Sequence, residues 1–192
     1  MRGADGAAYT ASGAMPKVLD TLEHFAAGAR YLVGHNLVAF DLPHLAALRP
    51  HTPLLALPAI DTLCLNPLAF PRNPYHHLVK HYQDGGLRRG QRNDPELDAR
   101  LSLGLLADQL AALEQAARND TDLAAAWHGL LGADPGASAV FTAARALPCP
   151  SAGATAAAVL RVVGERGCAV CARALAADQS AWGWPLAYAL AW

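Results

Sequence analysis

The pattern of apolar and polar positions in the N-terminal third predicts a helix followed by a short buried strand. Pro16 suits the first turn of a helix that runs to about Ala29 and places Leu22 and Phe25 on one face. The three apolar residues of 31–33 then form a short strand that leads into a glycine. A helix that feeds a buried strand is the expected beginning of the fold.

A second helix should follow this strand after a turn at Gly34. Asn36 can cap that helix, and its first turns carry Phe40, Asp41 and Leu45. Asp41 stands beside the face that must pack inward. Its carboxylate is therefore expected near a strand-to-helix junction.

Two further elements complete the predicted α/β part. The run 54–60 predicts a strand that starts late, near Ala59, because Pro58 interrupts it. The alternation of helices and short strands predicts parallel pairing in an α/β sheet. Later in the chain, Asp94 is a good N-cap for a helix that continues to about Arg118.

The chain beyond residue 119 changes to alanine-rich segments separated by glycine and proline. This pattern predicts a helical extension, not more sheet. The predicted helices are Asp122–Leu131, Pro135–Leu147, Ser151–Glu165, Cys168–Asp178 and Ala181–Trp192.

Composition narrows the class of protein. The chain has 192 residues, of which 53% are hydrophobic and 16% charged, so a folded core is expected and a disordered tail is excluded. The net charge of −1 gives no global basic field, so any nucleic-acid contact must be local. No run is long and apolar enough for a membrane span and no signal peptide is evident, which predicts a cytoplasmic protein without membrane contact.

The four cysteines are too few and too irregular for a disulfide framework, and we expect reduced thiols. Cys168 and Cys171 form a single CxxC motif. A redox pair and half of a zinc site are two interpretations of such a motif. The sequence favours a third interpretation, in which both cysteines are small buried residues on an alanine-rich helix.

The sequence allows two interpretations of Asp41, as a metal or proton-transfer ligand or as an ordinary surface residue. The residues around Asp41 favour the first interpretation. His35-Asn36, Phe40-Asp41 and Leu45 together resemble the second motif of the DnaQ-like (DEDD) 3′–5′ exonucleases, a group of the ribonuclease H-like superfamily. Asp61, followed by Thr62, also resembles an Asp-Thr of this group, although we expect a structural role for it.

The resemblance implies a partial ribonuclease H-like sheet flanked by helices. Asp98-Ala99 resembles the third motif, so Asp41 and Asp98 would be the catalytic and metal-binding carboxylates for Mg²⁺ or Mn²⁺. The family's general base is absent from its two usual positions, where Asn93 and Asp94 stand instead. A general base contributes about 10²–10⁴ in rate, so this departure alone predicts slow chemistry unless His76, His77, His81 or a metal-bound hydroxide replaces the base.

The first family motif, an Asp-x-Glu on a strand, is absent upstream of Gly34. The chain therefore resembles a fold truncated at its N-terminus, with about half of the metal ligands missing. Two-metal hydrolysis needs paired cations on several oxygen ligands. Asp41 and Asp98 alone would hold at most one weakly bound ion, and hydrolysis is not expected.

A polar and aromatic segment between Arg72 and Arg92 predicts a nucleic-acid-binding groove. Cations that contact phosphates beside rings that stack on bases are typical of single-strand binding. A solvated helix and loop is the competing interpretation. The predicted nucleic-acid contacts, which include two residues of the second motif, are His35, Asn36, Tyr75, His76, His77, Lys80, His81, Arg88, Arg89 and Arg92.

The strings from Gly34 to Leu113 are similar to the exonuclease-like N-terminal region of some bacterial RecQ-type DNA helicases. The resemblance implies an exonuclease-like domain over 15–118 and a helical extension over 120–192. It also implies two partners, namely single-stranded or 3′-end DNA and a helicase domain of the same parent protein. The alternatives are a catalytically dead module that binds DNA or a partner for a helicase, and a structural fragment with no ligand.

Overall fold

A computed structural model describes residues 6–73, 76, 78, 94–164 and 167–192. The chain divides into two compact units. Unit 1 comprises Met1–Leu63 and His77–Leu106, and unit 2 comprises Cys64–His76 and Ala107–Trp192. Most described residues are helical, and two short strands form a small parallel sheet.

Unit 1 holds the sheet and the helices around it. In chain order the elements are α1 (Met15–Phe25), β1 (Leu32–Gly34), a π-helical turn (Leu37–Asp41), α2 (Leu42–Leu48), a 3₁₀ turn (Pro53–Ala56) and β2 (Ala59–Asp61). Two helices begin in unit 1 and continue into unit 2, namely α3 (Thr62–Ala69) and α4 (Pro95–Asn119).

The two strands pair in parallel, with Leu32 beside Ala59 and Gly34 beside Asp61. Leu32 and Ile60 are both buried, but they point to opposite faces of the sheet, because Leu32 pairs with Ala59 while Ile60 pairs with Val33. Leu19 and Leu54 are the other buried leucines of this part of the chain. This register brings the ends of both strands to one edge, where the loop after β1 and the start of α3 meet. Parallel strands commonly place functional side chains at such an edge.

Unit 2 is a set of helices arranged around α5. Its elements after α4 are α5 (Thr121–Leu130), α6 (Pro135–Arg145), α7 (Ala152–Val163), α8 (Ala169–Ala177), a 3₁₀ turn (Gln179–Ala181) and α9 (Trp184–Ala191). Helix α5 packs against α6, α7 and α9, and α7 also packs against α8. The buried Trp127 of α5 donates a hydrogen bond of 2.9 Å from its indole Nε1 to the carbonyl of Ala187.

Polar side chains cap the start of several helices, and among them Asp94 is the cap that the sequence predicts. The carboxylates of Asp94, Asp120 and Asp134 and the hydroxyl of Ser151 each accept a backbone N–H from the first turn of the following helix. These caps satisfy donors that a helix leaves without an internal partner. The predicted helix from Asp94 and the five predicted helices after residue 119 are confirmed, with bounds that differ by a few residues.

The late strand at Ala59 and its parallel pairing are also confirmed. The first helix is shorter than predicted, because it ends at Phe25 and Gly28 adopts a φ of +83°. The prediction that Asn36 caps a helix is wrong. Asn36 has a φ of 65° and makes no side-chain cap, and a π-helical turn precedes α2.

The two units differ from the two predicted segments, 15–118 and 120–192. The second half of α4 and most of α3 belong to unit 2. An α/β arrangement with helical additions describes the chain, while a ribonuclease H-like sheet stays a prediction. None of the described helices combines the length and the apolar character that a membrane span requires.

Candidate functional site

The loop after β1 is held in shape by the carboxylate of Asp61. One of its oxygens, Oδ1, accepts the backbone N–H groups of Asn36 and Leu63, and Oδ2 accepts that of Val38, each at 2.9 Å. Asp61 is only 6% exposed. It therefore has the structural role that the sequence predicts, and its interactions leave Asn36 in the left-handed conformation instead of at a helix cap.

The imidazole of His35 is fixed by the same junction. Its Nδ1 lies 3.0 Å from the hydroxyl of Thr62, which in turn donates to the carbonyl of Gly34 at 3.1 Å. Since the Thr62 proton points to Gly34, the Nδ1–H of His35 donates to Thr62 Oγ1. His35 and Asn36, both predicted to contact nucleic acid, are used in the described structure to order the loop that follows β1.

A cleft of about 790 Å³ lies within unit 1, beside this loop. Its walls come from α1, β1, the π-helical turn, α2 and the first turns of α4. Asp41 and Asp98 both line it, although they are far apart in the sequence. The other lining residues are Leu22, Leu32, Val33, Gly34, His35, Leu37, Phe40, Leu42, His44, Leu45, Leu48, Leu54, Leu78, Pro95, Ala99 and Ser102.

The cleft raises the pKa of the Asp41 carboxyl. Partial burial of the carboxylate beside apolar walls is the main cause, and the negative charge of Asp61 adds to it. Asp41's own backbone N–H and the nearby His44 act in the opposite direction but do not cancel the rise. Asp41 as a whole residue is exposed.

Asp98 lines the cleft from the first turn of α4. Its backbone N–H donates to the carbonyl of Asp94 at 3.0 Å, and the hydroxyl of Ser102 donates to the carbonyl of Asp98 at 2.8 Å. The residue is half-buried. The N-cap at Asp94 therefore fixes the start of α4 and, with it, the position of this second carboxylate.

The donors of the cleft do not suit the paired cations that the family resemblance implies. Over the described ranges, no group of three or more His, Cys, Asp and Glu side chains could hold a metal ion. Asp41 and Asp98 supply only two carboxylates, and they do so in a largely apolar cleft. Mg²⁺ requires about six oxygen ligands in octahedral geometry.

Comparisons with known proteins identify no family. No protein-family model, curated protein or solved structure matches this chain. The resemblance to DnaQ-like exonucleases and to helicase-associated domains therefore stays a hypothesis based on short strings.

The remaining predicted nucleic-acid contacts belong to unit 2 or lie outside the described residues. His76 belongs to unit 2, where its backbone carbonyl accepts from the side chain of Asn66 at 3.3 Å. The structure does not describe Tyr75, His77, Lys80, His81, Arg88, Arg89 and Arg92, nor Asn93 at the position of the family's base.

The sequence reasoning did not identify the aromatic pair at the cleft. The rings of Phe40 and His44 lie 4.5 Å apart between centroids, and the Nδ1–H of His44 donates to the Phe40 carbonyl at 2.7 Å. Phe40 is 56% exposed, which is unusual for a phenylalanine. The spacing of four residues on a helical segment was the available signal.

The interpretation of the CxxC motif as two buried residues is wrong. Cys168 and Cys171 are both exposed at the start of α8, because the helix packs through Ala172 and Ala176 and turns the two thiols outward. All four cysteines of the chain are free thiols.

Proposed function

We propose that unit 1 is a nucleic-acid-binding, 3′–5′ exonuclease-like domain of a DNA repair or helicase protein, and that this chain binds a 3′ end without hydrolysing it. The observation that carries the proposal is the shared cleft. Asp41 and Asp98, the carboxylates of two motifs recognised in the sequence, line the same cavity.

The walls of the cleft suit a nucleobase better than a string of phosphates. Leucine side chains form much of the lining, and the Phe40 ring beside His44 offers an exposed aromatic face. Stacking of a base on an aromatic side chain is worth about 1–3 kcal/mol. A base at the 3′ end of a single strand is the ligand that such a surface would accept.

The carboxylates have a role in binding even without hydrolysis. A carboxylate accepts hydrogen bonds from the hydroxyl of a sugar or from the N–H groups of a base. Mg²⁺ or Mn²⁺ would be only weakly held by Asp41 and Asp98.

The second candidate is a catalytically dead module that binds a partner, such as a helicase domain, in place of DNA. The apolar lining of the cleft favours this candidate, because leucine-rich clefts also accept apolar side chains of another protein. The two candidates differ in whether a single-stranded oligonucleotide binds in the cleft.

Binding of a fluorescently labelled single strand, followed by anisotropy, tests the proposal. Phe40→Ala removes the stacking face and should weaken binding by about fivefold or more. Asp98→Asn should alter binding, whereas Asp108→Asn is the matched control, since it makes the same change at an exposed position of the same helix. Absence of binding by the unmodified chain would overturn the proposal and favour the partner-binding candidate.

Degradation of a 3′-labelled strand tests the catalytic part. We expect no loss of label with Mg²⁺ or Mn²⁺. A metal-dependent loss that disappears in Asp98→Asn and persists in Asp108→Asn would show that the cleft hydrolyses DNA, so the expectation of an inactive site would be wrong.

A further inference from the structure

Two exposed thiols stand together at the start of α8 in unit 2. Cys168 is the residue that precedes the helix, with extended φ and ψ of −68° and 112°, and Cys171 is the third residue of the helix. Residues three apart at a helix start share one face. Both side chains are exposed, so a reactant reaches either sulfur without a conformational change.

The two sulfurs are unequal because of their places on the helix. Three hydrogen-bond donors stabilise the thiolate of Cys168 and lower its pKa. They are the backbone N–H of Cys171, the thiol of Cys171 and the backbone N–H of Val170. The neighbouring sulfur of Cys168 raises the pKa of Cys171. In the described structure the Cys168 side chain makes no capping hydrogen bond to the helix. The thiolate is the reactive form of a cysteine, so it is the stabilisation of this form that matters for reactivity.

The other two cysteines lack this arrangement. Cys64 is half-buried within α3, and Cys149, although exposed, donates weakly to the carbonyl of His128 at 3.6 Å. Structural zinc needs four ligands, and the residues that the structure describes contain no cluster that would complete a site around this pair. The geometry of Cys168 and Cys171 therefore suits exchange chemistry.

We propose that Cys168 and Cys171 form a dithiol site that reduces small-molecule disulfides by thiol–disulfide exchange. The Cys168 thiolate attacks one sulfur of a disulfide RSSR, forms a mixed disulfide and releases the first thiolate. Cys171, after losing its proton to solvent, attacks the Cys168 sulfur and releases the second. Two protein thiols are oxidised to one intrachain disulfide, and RSSR is reduced to two RSH.

Oxidised glutathione is the probe for the test, with the full reduced chain. Peptide mapping by mass spectrometry should find a disulfide that joins Cys168 to Cys171, with release of two glutathione thiols. Cys171→Ser should stop the reaction at a mixed disulfide on Cys168. Cys168→Ser should react several-fold more slowly at neutral pH. Cys149→Ser is the matched control, since it removes another exposed thiol and should leave the reaction unchanged.

Three results would overturn the proposal. One is a wild-type chain that keeps glutathione on Cys168 without closing to Cys171. Another is a Cys168→Ser variant that reacts as fast as the wild type. The third is a disulfide that involves Cys64 or Cys149 in place of the pair. These outcomes are independent of nucleic-acid binding by unit 1.

Discussion

Unit 2 should lose stability in acid through one buried histidine. His128 of α5 has no exposed surface, and its Nδ1 lies 2.8 Å from Nη1 of Arg145. A guanidinium only donates, so Nδ1 accepts and the ring proton resides on Nε2, which faces the hydroxyls of Ser138 and Thr142 at 3.4 Å each. A second proton would have to enter at Nδ1, directly against the charge of Arg145.

Burial and the Arg145 charge lower the pKa of His128 from 6.5 to about 4. Because the unfolded chain binds this proton more readily, the stability is fully present above pH 6.5 and is lost as pH falls from 6.5 to about 4. At about 1.4 kcal/mol per pH unit of linkage, the loss between pH 7.5 and pH 4.5 is about 2.5 kcal/mol.

Urea unfolding at these two pH values measures this loss. All four tryptophans of the chain lie in unit 2, so their fluorescence reports on this unit. Other groups also titrate in this range, and His128→Gln serves as the reference, because glutamine cannot acquire a proton and still accepts from Arg145. The wild type should lose about 2.5 kcal/mol more than His128→Gln. Equal losses in the two proteins would refute the assignment of a buried neutral histidine beside Arg145.

Two further predictions concern the close approach of α5 to α7 and the loop after β1. Gly129→Ala should destabilise unit 2 by about 1–3 kcal/mol, because an added Cβ would lie 2.6 Å from the buried Cβ of Thr155. Gly104→Ala is the control, because no atom lies within 4 Å of the Cβ that it adds, and it should be neutral or stabilising by up to about 1 kcal/mol. Thermal unfolding compares the stabilities of the two variants. Asp61→Asn should destabilise unit 1 by about 2–3 kcal/mol, because an amide presents a donor to one of the three backbone N–H groups that the carboxylate accepts. Faster amide hydrogen exchange at Val38 would report this loss.

The outcomes that contradict these two predictions are equally specific. Equal melting temperatures for Gly129→Ala and Gly104→Ala would mean that α5 and α7 are not in close contact. For Asp61→Asn, the control is Asp108→Asn at an exposed site of α4. Unchanged exchange at Val38 would mean that the Asp61 carboxylate does not order the loop.

The sequence by itself determined the elements and much of their order. Asp94 and Pro95 predict the start of α4, because an N-cap side chain and a fixed φ act locally, without the rest of the fold. Pro58 likewise predicts the late start of β2, since it cannot donate a ladder hydrogen bond. Local chemistry of this kind is readable from neighbouring residues.

Tertiary structure decided what those elements place together. Asp41 and Asp98 line one cleft only because β1 and β2 pair and α4 begins beside them. No local sequence pattern predicts that these two residues come close in space. Asn36 does not cap a helix, because it adopts a left-handed conformation in a loop whose N–H groups bind Asp61, 25 residues away. Cys168 and Cys171 are exposed because α8 packs through Ala172 and Ala176 and leaves the two thiols in solvent. Each of these outcomes depends on contacts between residues distant in the chain, whose free energy exceeds the weak local preferences that the sequence displays.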